Sequence, residues 1–299
     1  MARPQLKDVL KSLENSALKG PVGIMEMRDA LDRMTGNLPL PKGACISAVE
    51  ANGVPCEWTE TPGCSTQGAL LYFHGGGYAM GSLITHRILV AKLSRAAKLR
   101  VLSVGYRLGP EEPFPAAVED AVSAYEFLLD EGGAAEEIVI AGDSAGGGLA
   151  AACLLALREA GHPLPKAGAL ISPWLDLSLT RDSVTRLASI DPLVEAPLLQ
   201  ECADAYLGST DPKTALASPL FADLSGLPPL LIQVGSAEIL LDDATEFADS
   251  ARRAGSEITL EVWEDMIHVW HSSAAVLPEA RDAIAKIGSF LRQQLDGQP

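Results

Sequence analysis

The stretch Val139-Ile140-Ala141-Gly142-Asp143-Ser144-Ala145-Gly146-Gly147-Gly148 decides how this 299-residue chain is read. The apolar run from Ile138 to Ala141 has the composition of a buried strand. It stops at Gly142, passes through Ser144 and Gly146, and enters an Ala/Leu-rich segment, Leu149 to Ala160, that predicts a helix. G-x-S-x-G between a strand and a helix is the signature of a nucleophile elbow. A turn this tight holds its serine in strained backbone geometry, and larger flanking side chains would collide with the strand and the helix. The strain lifts the hydroxyl out of the sheet, beside the positive end of a helix dipole. Ser144 is the candidate nucleophile, and a Gly-rich turn without chemistry is the plain alternative.

Outward from this turn, short apolar runs alternate with helical periodicity. The runs are Ala69 to Phe73, Val101 to Val104, Ile138 to Ala141, Ala167 to Ile171, Leu230 to Val234 and Ile258 to Val262. Between them, apolar residues recur at three and four positions, as at Val118, Ala121, Val122, Tyr125, Leu128 and Leu129. The last helix shows the same at Ala283, Ile284, Ile287, Phe290 and Leu291. This alternation predicts an α/β fold, a mostly parallel central sheet flanked by helices. Upstream, two helical patterns run from Leu6 to Leu18 and from Val22 to Met34, with a methionine-rich apolar side (Met25, Met27, Met34). Alternating stretches at Ala44 to Val49 and Val54 to Thr61 predict a hairpin. The interval 180–217 is too long for a crossover. We expect residues 1–40 and 180–217 to form a helical cap, with 41–179 and 218–299 as the two parts of the catalytic domain.

The net charge of −16, with no basic cluster, makes nucleic acid and anionic membranes poor partners. The N-terminal residues, Met1 to Asp8, lack the apolar core of a signal peptide, and no apolar run reaches membrane-spanning length. The five cysteines are scattered, with no C-x-x-C pair. That suits a reduced compartment rather than a disulfide framework or a zinc site, so the expected address is cytoplasmic and no metal is expected.

Directly after the run Ala69 to Phe73 comes His74-Gly75-Gly76-Gly77. Acyl transfer builds negative charge on a carbonyl oxygen, and backbone N–H groups aimed there stabilise it. An H-G-G-G loop here matches the oxyanion loop of lipases and esterases. Gly75 and Gly76 are the expected donors, Ala145 the third, with His74 anchoring the loop. A serine needs an adjacent base, itself held by a third group. Of the five histidines, His86 begins a helix and His162 sits in a Gly-His-Pro turn, where surface roles are expected. His268 lies past the run Ile258 to Val262, where ligands collect in open α/β sheets. It is preferred to His271. The acid belongs between serine and histidine in the chain. Glu238 follows the run Leu230 to Val234, with Asp242 and Asp243 as competitors.

These residues together resemble the hormone-sensitive-lipase family of α/β-hydrolases, in its microbial esterase branch. Two further blocks carry the resemblance: Tyr106-Arg107-Leu108-Gly109-Pro110-Glu111 with Phe114-Pro115-Ala116-Ala117 and Asp120, and Ser172-Pro173-Trp174-Leu175-Asp176-Leu177. The resemblance implies an α/β-hydrolase fold with a helical cap, a Ser–acid–His carboxylesterase acting on short- to medium-chain esters, no cofactor, and a homodimer through the edge near Ile258 to Val262. The chain departs from the family at Gly105, where aspartate is common, and at Glu238, where aspartate is usual. Val269-Trp270 replaces the usual Gly-Phe, and Trp270 is expected to narrow the site. Tyr78 and Trp174 are candidates for the acyl pocket. Arg107 and Glu111 read as a buried ion pair beneath the oxyanion loop. An amidase or arylformamidase would share this chemistry. A hormone receptor on the same scaffold, as in plant gibberellin receptors, is set apart by loss of the histidine that this chain retains.

Overall fold

The computed structural model describes residues 4–14 and 23–297. The ends of the two expected N-terminal helices, around Leu18 and Val22, lie outside the described residues. Helices α1 (Pro4–Glu14) and α2 (Ile24–Gly36) precede a hairpin of β1 (Cys45–Ala51) and β2 (Val54–Glu60). Asn52 and Gly53 make its turn at φ 51° and 89°. Positive φ at both positions gives a two-residue turn whose twist matches that of the strands.

The alternating part then follows as β3 (Ser65–Phe73), α3 (Leu83–Ala97), β4 (Leu99–Val104), α4 (Ala116–Asp130), β5 (Ile138–Asp143), α5 (Ala145–Glu159) and β6 (Ala167–Ile171). The insertion carries α6 (Asp182–Arg186) and α7 (Ala196–Leu207). It is followed by β7 (Leu230–Gly235), α8 (Leu241–Arg253), β8 (Ile258–Trp263) and α9 (Pro278–Asp296). The eight strands form one sheet in the order β1-β2-β4-β3-β5-β6-β7-β8. It is parallel from β4 to β8 and antiparallel where β2 meets β1 and β4. This is the mostly parallel α/β architecture expected from the alternation of runs, and it agrees with the α/β-hydrolase fold that the resemblance implies.

Side chains alternate across the pleat, so each central strand feeds two cores. Leu71, Phe73, Ile138 and Ile140 join one core with α4, α5, α7 and α8. Leu70, Tyr72, Val139 and Ala141 join the other with α3 and α9. Both faces are covered, which is why these strands read as unbroken apolar runs. The two N-terminal helices divide between the faces. Ile24, Met27 and Leu31 of α2 pack against the first core, whereas Leu6 and Val9 of α1 enter the second. Among the described residues, no helix is long and apolar enough to cross a membrane.

Helix α5 begins at Ala145, four residues earlier than expected from Leu149, and its first turn is glycine-rich for a steric reason. A Cβ on Gly146 would stand 2.1 Å from the Phe73 carbonyl oxygen, and one on Gly148 2.2 Å from that of Trp174. Close approach of the oxyanion loop and the segment after β6 outweighs the roughly 1 kcal/mol that a glycine costs a helix.

Candidate active site

Ser144 links β5 to α5 at φ 55° and ψ −123°, a conformation that L-residues adopt at a cost of about 1–3 kcal/mol. Its neighbours hold it there. Its N–H donates to Ile171 O at 2.8 Å, and its carbonyl accepts from Trp174 N at 3.0 Å. His268 follows β8 on a loop, with its Nε2 2.9 Å from Ser144 Oγ. Its Nδ1 lies 2.6 Å from Glu238 Oε2. A carboxylate accepts only, so Nδ1 carries the proton and Nε2 presents its lone pair to the serine hydroxyl. Glu238 is fully buried. Its other oxygen, Oε1, accepts from Ser172 Oγ at 2.8 Å and from Gly235 N at 2.6 Å. Ser172 Oγ also accepts from Val269 N at 3.1 Å, so one hydroxyl joins the acid loop to the histidine loop. Val269 itself stands at φ 46°, an unusual place for a β-branched residue and the position where the resembled family has glycine.

Burial pulls the His268 pKa down, but the hydrogen bond and charge of Glu238, with Asp191 and Asp143, outweigh it and leave it above its ordinary value. The competing acids serve elsewhere. Asp243 Oδ2 accepts from Leu175 N at 2.8 Å and Asp176 N at 2.9 Å. Asp242 accepts from Ser183 N at 2.8 Å and Arg186 Nη2 at 3.0 Å. His271 is enclosed in the second core, bonded through Nε2 to Gln233 Oε1 at 2.8 Å, and burial takes its pKa down to about 3.

The loop 74–77 packs against the elbow: a Cβ on Gly75 would stand 3.1 Å from that of Ser144. The expected donor set needs one correction. Gly75 N–H is already committed to Asp143 Oδ1, at 3.1 Å. Gly76 and Gly77 donate to no backbone carbonyl among the described residues, and Ala145, as the first residue of α5, has no intrahelical acceptor for its N–H. Gly76, Gly77 and Ala145 are therefore the N–H groups left free. His74 is buried and stacks on Tyr106 at 4.3 Å. Its Nδ1 donates to Gly75 O at 2.8 Å, and burial with the neighbouring His86 takes its pKa down to about 3. A neutral, bonded imidazole fits a structural anchor.

His86 is not the surface residue expected from sequence. Ser82 and Thr85 form a capping box that starts α3, which brings His86 beneath the elbow with Nε2 3.2 Å from Asp143 Oδ2. Asp143 also accepts from the Tyr72 hydroxyl. Burial would raise the Asp143 pKa, yet His86, Tyr72 and His74 together hold it at about 2. The S-x-x-T pattern at 82–85 was the available signal, because it fixes which turn carries His86.

Three other expectations are corrected. Arg107 does not pair with Glu111. Its guanidinium is 42% exposed and meets Asp120 and Glu119 of α4, while Glu111 pairs with Arg28 at 2.6 Å. Trp270 does not narrow the site, because it is fully buried in the second core against Trp263 and His271. Tyr78 and Trp174 are core residues of the first cluster that back the oxyanion loop. The Tyr78 ring stacks on Tyr206 of α7 at 4.0 Å, and a Cβ on Gly77 would meet Cys202 Sγ at 2.7 Å and the Trp174 ring at 4.0 Å. Arg28 and Asp191 stand in none of the motifs read from the sequence, and Asp143 and Ser172 stand in two of them without an assigned role.

A parallel sheet carrying a serine elbow, an imidazole within hydrogen-bond reach and a buried carboxylate behind it defines a serine hydrolase of the α/β-hydrolase class. Residues 70–272 match the family described as having the alpha/beta hydrolase fold. An acetyl-hydrolase of Streptomyces hygroscopicus is 46% identical over 295 residues, covering 98% of this chain and 97% of that one. A crystal structure of an esterase from the bacterial hormone-sensitive lipase family superposes with a TM-score of 0.95 at 47% identity, covering 99% of this chain and all of that one (100%). The crystal structure of EstE5 soaked with p-nitrophenyl butyrate gives a TM-score of 0.95 at 43% identity, with coverage of 99% and 100%. The chain belongs to the hormone-sensitive-lipase family of α/β-hydrolases, in its microbial esterase branch, and is a serine carboxylesterase.

Proposed function

We propose that this esterase hydrolyses short- to medium-chain acyl esters through a covalent acyl-enzyme on Ser144, working in the cytoplasm as a homodimer. The observation that carries the reading is the unbroken relay Ser144 Oγ–His268 Nε2 at 2.9 Å and His268 Nδ1–Glu238 Oε2 at 2.6 Å. Ser144 Oγ attacks the ester carbonyl while His268 Nε2 takes its proton. Glu238 fixes the tautomer and stabilises the imidazolium. The oxyanion is met by the N–H groups of Gly76, Gly77 and Ala145, in place of Gly75. Collapse expels the alcohol, protonated by His268. Water then attacks the acyl-enzyme with His268 again as base, and Ser144 recovers its proton as the acid leaves.

Of the expected cap, helix α2 and the insertion 180–217 would limit acyl length, without α1, whose Leu6 and Val9 pack in the second core. A panel of p-nitrophenyl esters from acetate to palmitate tests this. kcat/KM is expected to fall beyond roughly hexanoate or octanoate, the reach of a pocket of ordinary size. Equal or greater rates on palmitate or on emulsified triglyceride would overturn it.

A further inference from the structure

Helix α2 is hydrogen-bonded to the turn 76–80 by the side chain of Arg28. Arg28 is 19% exposed, and each of its three guanidinium nitrogens has a partner. Nε and Nη2 donate to Ala79 O at 3.0 and 2.8 Å, and Nη2 donates also to Gly109 O at 2.9 Å. Nη1 meets Glu111 Oε1 at 2.6 Å and Nη2 meets Oε2 at 3.1 Å. Ala79 lies two residues beyond Gly77 in a turn that closes on itself, with Ala79 N and Met80 N both donating to Gly76 O at 3.2 and 2.7 Å. Gly109 N in turn donates to Tyr78 O at 2.9 Å. The carbonyls of 78 and 79 are thus held from outside the turn, one by Gly109 and the other by Arg28. Ala79 is fully buried, so without Arg28 its carbonyl would need another donor or the peptide would rotate. Rotation of that peptide re-aims the N–H groups of Gly76 and Gly77.

We propose that Arg28 is a positioning residue for the oxyanion hole, holding the turn 76–80 in its productive geometry from the N-terminal helix. The proposal rests on the reading of Ser144 as nucleophile and of the free N–H groups of this turn as oxyanion donors. A planar fork with several donors suits the task, because two carbonyls and a carboxylate are met by one rigid group. Lysine, a point donor on a flexible stem, cannot reproduce this. A docking role for α2 alone is separable. Ser82 Oγ, at the start of α3, donates to Asp32 Oδ1 at 2.5 Å and secures the same helix without touching the turn.

The test compares Arg28→Ala, Arg28→Lys, Asp32→Ala and Glu111→Gln on p-nitrophenyl butyrate, with rates normalised to active sites titrated by a phosphonate ester. Normalisation removes any loss through misfolding. Arg28→Ala is expected to lower kcat by about 10- to 100-fold with KM within about threefold, since a misaimed donor weakens the transition state and not the ground state. Arg28→Lys should stay close to Arg28→Ala, and added guanidinium at constant ionic strength should restore part of the Arg28→Ala rate. Asp32→Ala and Glu111→Gln should keep kcat within about threefold of wild type, because neither removes a bond to Ala79 or Gly109. An unchanged kcat in Arg28→Ala, a loss confined to KM, or an equal kcat loss in Asp32→Ala overturns the proposal. If the phosphonate fails to label Ser144, the nucleophile reading fails. If it labels Ser144 and Arg28→Ala turns over normally, only the role of Arg28 does.

Discussion

The two oxygens of Glu238 divide their work. Oε1 takes the Ser172 hydroxyl and Gly235 N–H, which leaves Oε2 for the imidazole N–H of His268. All three partners donate, so an amide at this position must turn its NH2 against one of them. Glu238→Gln should therefore lower kcat by roughly 10²- to 10⁴-fold with little change in KM, and Glu238→Asp, with a shorter reach, should keep partial activity. The pH profile carries the same information. Burial depresses His268, but the bond and charge of Glu238, then Asp191 and Asp143, raise it above its ordinary value. The base works only as neutral imidazole, so the acid limb of kcat/KM should lie above about pH 6.5 in the wild type. With the Glu238 charge removed, the limb should move to lower pH. A limb that stays in place with kcat retained would show that Glu238 is not the acid. The choice of Ser144 and His268 as candidates was legible from motif and chain position, because an elbow and a loop after a strand are local features. The other contacts were not: His86 meets Asp143 across 57 residues and Ser172 meets Glu238 across 66, and nothing in either local pattern announces its partner.

The segment between β6 and α6 is held by the start of α8, and here the competing acids find their use. Asp243 accepts N–H bonds from Leu175 and Asp176, and Asp242 accepts one from Ser183. Asp191, in the insertion, accepts from Ile239 N at 2.9 Å, one residue past Glu238. The insertion is thus fastened to the loop that carries Glu238. Burial pushes the Asp243 carboxyl up to about 8 from its ordinary 3.8, against the two N–H donors. The native state then holds a proton that the unfolded chain releases, so stability falls as pH rises between those two values. Asp243→Asn is neutral throughout and keeps an acceptor oxygen. Urea unfolding followed across this window should show a flatter pH dependence than the wild type, with the variant gaining relative stability toward pH 8. Parallel pH dependences for the two proteins would contradict this. At this scale the runs of apolar residues located β3 to β8, and the alternating stretches located the hairpin of β1 and β2. What they could not locate was the side of the sheet on which a helix packs. Helix α1 joins α3 and α9, a matter of long-range docking that its own amphipathic pattern does not specify.

Among the described residues the sheet ends at β8, with no strand beside its outer edge, and β8 carries Val262 at 47% exposure. An open strand edge is a natural pairing surface. The proposed homodimer uses it, so Val262→Lys should shift light scattering from dimer to monomer at micromolar concentration. A monomeric wild type would contradict the assembly. The strong negative charge bears on partners but not on chemistry, which rests on one side chain placed by the whole fold. Ser144 is only 8% exposed, its backbone fixed by β6 and the segment after it, and its hydroxyl aligned with His268. The most direct test of the account is to treat the protein with a fluorophosphonate and map the adduct by peptide mass spectrometry. The account predicts stoichiometric labelling of Ser144 in step with loss of esterase activity, and neither labelling nor activity in Ser144→Ala with its fold intact. An adduct on another serine, or ester hydrolysis persisting at the wild-type rate in Ser144→Ala, would contradict it.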